Sequence, residues 1–120
     1  MKKFLIVGAS GFIGSNILNL LPIKIDLTIV TSKKKKIIEK IKKKNFSQIT
    51  IKNYNFISFK NRNIIQEIDV IINCTGAYPK KNNMKKLIFL NYKLPKLLFD
   101  LSVSKKPKQF INICLFGISS

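Results

Sequence analysis

The residues of this sequence best suited to chemistry are three glycines, in the run Gly8-Ala9-Ser10-Gly11-Phe12-Ile13-Gly14. Their chemistry is that of a backbone rather than a side chain. A G-x-x-G-x-x-G spacing that leaves a strand and opens a helix can hold an anion on main-chain N–H groups. Gly8 can take the dihedrals of a tight turn. Gly11 has no side chain to keep a phosphate away, and Gly14 lets the helix pack close to the strand. The N–H groups of Phe12 and Ile13 are free at the helix start, where the helix dipole adds about 0.3–1 kcal/mol. Ser10 either donates its hydroxyl to phosphate or caps the helix. The spacing predicts a cradle for the pyrophosphate of a dinucleotide.

The elements that must position this loop can be read from apolar periodicity. Residues 4–7 form a short continuous apolar run, as in a strand covered on both faces. Ile13, Ile17, Leu18, Leu20 and Leu21 follow at helical spacing, and Pro22 ends the pattern. Strands are expected over residues 25–31, 48–54, 69–74 and 109–115. Between them lie a helix over 33–44, a short one over 61–67 and a longer one over 82–104, with Pro95 bending the last or lying near its start. Strand–helix alternation of this kind predicts an α/β fold: a doubly wound, Rossmann-like parallel sheet of about five strands in one domain, residues 1–120. Ligands of such sheets bind at the carboxyl ends of the strands, where the strand order reverses.

The net charge is +18, from 23 Lys and Arg against five Asp and Glu. Of the basic residues only Arg62 is arginine, whereas readers of bases use arginine forks. Ile37, Ile38 and Ile41 give the 33–44 segment an apolar face, so its lysines read as the solvated side of a crossover helix. No specific nucleic-acid partner is expected; a basic nucleic-acid binder ranks last among the readings. No membrane span or leader is expected, and the cytoplasm is the default. Two isolated cysteines, Cys74 and Cys114, and no histidine predict no metal site.

The run from Val7 to Ser15 resembles the extended short-chain dehydrogenase/reductase family, the epimerase/dehydratase group acting on nucleotide sugars. Asp69-Val70-Ile71-Ile72-Asn73-Cys74-Thr75-Gly76-Ala77 is similar to that family's fourth strand and the loop beside the nicotinamide ribose. The resemblance therefore implies cofactor contacts at Cys74, Thr75 and Gly76. Asn91 matches an asparagine of the following helix, and Phe110-Ile111-Asn112-Ile113 a fifth strand leading to the active site. The wording from Asn73 to Tyr78 is also similar to sugar-nucleotide 4-ketoreductases. An acid after the third strand contacts adenine in the family; by position Asn55 stands there and Phe56 follows.

The choice of dinucleotide turns on the end of the second strand. NAD-specific folds place an acid there for the ribose 2′-hydroxyl. Here Thr31, Ser32 and Lys33 stand instead, and they favour NADP over NAD, since an acid would repel a 2′-phosphate.

The resemblance also implies a Tyr-x-x-x-Lys pair on the helix after the fifth strand. The sequence ends at Ser120, before that helix and the substrate domain. The literal match, Tyr92-Lys93-Leu94-Pro95-Lys96, lies one element too early, and Pro95 disturbs its i, i+4 geometry. The expectation is an NAD(P)-binding part, C-terminally incomplete, with no catalytic residue of its own. A nucleotide sugar would bind only in a full-length relative. A non-catalytic, redox-sensing nucleotide module is the alternative. The fifth strand would lie at an open edge, able to mediate self-association.

Overall fold

The computed structural model describes residues 1–76, 83–103 and 108–113. Five parallel strands form one sheet: β1 (Lys3–Val7), β2 (Asp26–Val30), β3 (Gln48–Lys52), β4 (Val70–Asn73) and β5 (Gln109–Asn112). Their order across the sheet is β3-β2-β1-β4-β5, so the order reverses at β1. Alternating side chains feed two cores, as period-two geometry requires. Leu5, Val7, Val30 and Ile71 face one core. Ile6, Leu27, Ile29, Val70 and Ile72 face the other. Each such side chain, fully buried, contributes about 1.5–3 kcal/mol.

Helix α1 (Phe12–Leu20) and helix α2 (Lys34–Ile41) cover the second core through Leu18 and Ile37. The row Gly14, Leu18, Leu21 turns inward, which leaves Leu20 exposed although it shares the apolar pattern. Ile37 is buried, whereas Ile38 reaches the surface. The lysines of this region are not all solvated. Lys44 Nζ donates to the carbonyls of Leu18, Asn19 and Leu21 at 3.0, 2.8 and 2.9 Å, closing the C-terminal end of α1. A cation suits a helix C-terminus, where carbonyls lack helical donors. Lys108 serves α3 (Arg62–Gln66) in the same way, at the carbonyls of Ile65 and Gln66.

The other core is covered by α3 and by the helix that follows β4, through Ile65, Leu90, Leu94, Leu98 and Leu101; that helix begins as α4 (Met84–Ile88), which buries no residue, and ends as α5 (Leu94–Ser102). Between α4 and α5, residues Phe89–Lys93 form a π-helical turn, and the Leu94 N–H reaches back to the Phe89 carbonyl. The wider turn lies directly before Pro95, whose ring would clash with a regular α-helical turn and whose nitrogen carries no hydrogen. The long helix expected over 82–104 is therefore present from 84 to 102, with its irregularity just ahead of the proline rather than as a break. Cys114, Leu115 and the Ala77–Tyr78 pair lie outside the described residues. Among the described residues no helix is long and apolar enough to cross a membrane, and no group of side chains could hold a metal ion.

The acids are concentrated at one end of the strands, where Lys2, Lys3 and Lys108 also lie. Asp26 and Asp69 lie at the amino edge of the sheet, where the Asp69 carboxylate accepts from the Lys3 N–H at 2.8 Å. With Glu67 beside them, three of the five acids gather at that end. The carboxyl edge has lysines.

Candidate cofactor site

Register places the candidate residues side by side. Lys52, Val30, Val7, Asn73 and Asn112 form one row across the sheet. The next residue of each strand continues the ladder: Thr31 N–H to Lys52 O (2.9 Å), Gly8 N–H to Val30 O (2.9 Å), Cys74 N–H to Val7 O (2.7 Å). Asn53, Thr31, Gly8 and Cys74 thus stand level at the edge where the strand order reverses.

The three glycines have three different surroundings. Gly8 has φ +85°, and a Cβ there would come within 2.9 Å of Thr75 Cγ2 and the Thr75 nitrogen. Gly14 is closed as well: a Cβ would meet Ala9 Cα and the Gly8 carbonyl oxygen at 2.6 Å. Around Gly11 nothing lies within 4 Å of that position. The two outer glycines are required by packing, and the middle one faces open space at the start of α1. Gly11 itself is the N-cap, with no side chain to satisfy the first N–H groups. Ser10, half-buried, does not hold that position. This fits a pyrophosphate: free donors, an open approach and a positive helix end converge there. The Phe12 side chain points out, 84% exposed, so what Phe12 and Ile13 could present to an anion at the helix start is backbone.

One support was not visible in the glycine spacing. The Ser15 hydroxyl donates to the Gly11 carbonyl at 2.6 Å and accepts from Lys40 of α2. An ammonium is thereby held beside the first turn of α1.

At the end of β2 an open cleft of about 560 Å³ is lined by Thr31, Ser32, Lys33, Lys34, Lys35, Lys36 and Asn53. It contains no acid. Thr31 is fully buried, and its hydroxyl accepts from the Lys33 N–H at 3.0 Å, so it shapes the turn. Burial raises the Tyr54 pKa, and the nearby Ser32 side chain opposes the rise. Asn53, not Asn55, lines the cleft. Its side chain accepts from the Asn55 N–H at 3.2 Å and caps a 3₁₀ turn, Tyr54–Phe56. Asn55 is exposed on that turn, and Phe56 is buried in the core with Leu5 and Val7. Counting the β2–β3 register from the Ile49–Ile51 alternation would have found Asn53.

Beyond β4 the side chains bond to each other. Asn73, fully buried, donates to Asn112 Oδ1 at 2.8 Å. Its own Oδ1 accepts from the Thr75 hydroxyl at 2.7 Å and the Thr75 N–H at 3.2 Å. Cys74 is half-buried, and burial pushes its thiol up to about 11. Gly76 is half-buried beside it, and Asn91 sits exposed on the π-helical turn. Thr75 and Gly8 are in contact; Asn55 and Phe56 do not join the cleft. In the literal Tyr92–Lys96 pair, Lys96 bonds Asp100 at 3.1 Å, and that bond is the main cause of its raised pKa, with a smaller contribution from Tyr92.

The profile of the NAD dependent epimerase/dehydratase family matches residues 4–114. No curated protein matches the sequence significantly. Among solved structures, a UDP-glucuronic acid 4-epimerase from Bacillus cereus, in complex with NAD, is 19% identical with a TM-score of 0.70. That alignment covers 92% of this chain and 39% of the epimerase. A UDP-N-acetylglucosamine 4-epimerase from Methanobrevibacter ruminantium M1, in complex with UDP-N-acetylmuramic acid, is 19% identical with a TM-score of 0.65, over 83% of this chain and 33% of its own. A thiolation-reductase di-domain of an archaeal non-ribosomal peptide synthetase is 14% identical with a TM-score of 0.70, over 92% and 27%. At these identities the likeness shows the fold. The chain spans 39% or less of the length of these three structures.

Proposed function

Because this chain belongs to the NAD-dependent epimerase/dehydratase family, we propose that its carboxyl edge holds a nicotinamide dinucleotide, NADP in preference to NAD. The open space over Gly11, between two glycines that packing closes, carries this reading. Phe12 and Ile13 would give backbone N–H groups to the pyrophosphate, with the Ser10 hydroxyl beside them. Ser32 and Lys33 would receive the 2′-phosphate in the acid-free cleft, which Asn53 closes on the adenine side. Thr75 and Gly76 would border the nicotinamide ribose. The dinucleotide, when bound, supplies hydride transfer; the described residues bind and orient it. The whole protein would be a nucleotide-sugar epimerase, dehydratase or 4-ketoreductase, for which this part supplies cofactor binding.

Titration with NADPH and NADH, followed by nicotinamide fluorescence, tests the proposal. NADPH is expected to bind tighter, and Lys33→Gln to narrow the gap by weakening NADPH alone. Equal or tighter binding of NADH overturns the preference. No response to either cofactor at millimolar concentration overturns the site.

A further inference from the structure

Three lysines reach helix ends, and one of them stands at the wrong end. Lys44 and Lys108 bond the carbonyls that close α1 and α3, where a cation is welcome. Lys40 of α2 instead donates to the Ser15 hydroxyl, in the first turn of α1. A helix N-terminus carries partial positive charge, so an ammonium is disfavoured there unless an anion offsets both. The chain offers no such anion nearby. The first turn of α1 has no acid, and Glu39, the neighbour of Lys40, pairs with Lys42 at 3.3 Å. Among the described residues Lys40 makes no ion pair. It is held all the same. Lys40 and Ser15 are both half-buried. The Ser15 hydroxyl spends its one hydrogen on the Gly11 carbonyl at 2.6 Å, which leaves its lone pairs to the ammonium. One hydroxyl therefore ties the cation to Gly11, the residue with open space above it. Ser15 is about one turn from Gly11, a rise of about 5.4 Å, which is less than the ~8 Å screening length at physiological salt.

We infer that Lys40 is the cation of the pyrophosphate cradle: Ser15 holds its ammonium beside the start of α1, where it offsets dinucleotide charge that backbone N–H groups would otherwise face alone. The inference rests on the cofactor reading and deepens it by dividing two duties between lysines. Lys33, in the cleft after β2, would tell NADP from NAD. Lys40 would serve the pyrophosphate, which the two dinucleotides share, and so would raise affinity without selecting between them. Ser15 is the positioning residue, because it acts through Lys40.

NADH and NADPH dissociation constants, each measured over a series of KCl concentrations, test this on four chains. Lys40→Met keeps an unbranched stem and removes the charge. It is expected to weaken NADH and NADPH alike, by about fivefold, the scale of one partly screened charge. It should also flatten the fall of affinity with added KCl, which loss of packing alone would not do. Lys40→Arg keeps the charge and should stay within about twofold of wild type. Ser15→Ala releases the ammonium, so its loss and that of Lys40→Met should not add in the double variant. Wild-type affinity in Lys40→Met overturns the inference and leaves the site standing. A loss confined to NADPH overturns it too, because the ammonium would then serve the 2′-phosphate. So does a loss with an unchanged salt dependence, which marks a structural role. Additive losses overturn the part given to Ser15. If the unaltered chain binds neither dinucleotide, the cofactor reading itself fails, and the inference falls with it.

Discussion

The loop after β1 and the segment after β4 leave neighbouring strands at the same row of the sheet, Val7 beside Asn73, and they meet where Gly8 touches Thr75. They are built on different physics. The first is fixed by the absence of side chains: two glycines sit where a Cβ has no room, and the third opens to solvent. The second is fixed by side chains, through the chain Asn112–Asn73–Thr75. Steric exclusion leaves a mark on the residue that suffers it, because only glycine is tolerated. A hydrogen-bonded network leaves marks spread over residues up to 39 positions apart.

Gly14→Ala tests the steric side where the effect is largest. The added methyl would fall 2.6 Å from backbone atoms of Ala9 and Gly8, which cannot rotate away. A loss of about 2–4 kcal/mol in urea unfolding is expected, from overpacking against main chain. A variant as stable as wild type would mean that the loop yields, and the contrast between the two regions would collapse.

Gly11→Ala sharpens the same contrast. Its φ is −78°, and nothing surrounds the new methyl, so stability should stay within about 0.5 kcal/mol of wild type. NADPH affinity should fall about tenfold or more, because the methyl would stand where the proposed pyrophosphate approaches. Binding equal to wild type would show that the open space over Gly11 is not the approach. The pair therefore separates a glycine that packing requires from one whose open side is proposed to receive a ligand.

That division explains what the sequence reveals and what it hides. The five parallel strands and the reversal at β1 follow from local periodicity, and the fold shows them; it also shows Gly8 and Gly14 closed in by neighbours and Gly11 facing open space. Leu20 reads as core and is exposed, because a nine-residue helix can bury only one row. Lys40 and Lys44 read as solvated, yet they reach Ser15 and the end of α1, 25 or more residues away for Ser15 and Leu18. Asn53 lines the cleft while Asn55 stands exposed on the turn after β3, because a strand's end is set by its neighbour's register. Pro95 announced a disturbance, but its form, a π-helical turn over Phe89–Lys93 directly ahead of it, is not fixed by the proline's position alone.

Cys74 gives the smallest effect and probes the hydrogen-bonded side. Its backbone N–H is held by Val7, but burial, not a charged partner, sets its thiol. The folded thiol is raised to about 11 from 9.0, so folding disfavours the thiolate. Its contribution to stability is then complete below about pH 9 and is lost as pH rises through about 11. Lysines titrate in the same range, so the comparison must be a difference. In a Cys114→Ser background, the chain should lose more stability between pH 9 and 11 than the same chain carrying Cys74→Ala. Iodoacetamide should label Cys74 slowly at neutral pH, since the thiolate is the nucleophile. Parallel pH profiles would mean that water or a donor reaches the sulfur. The segment after β4 would then be looser than its hydrogen bonds indicate, and the rigid support for Gly8 would have to come from the glycine loop itself.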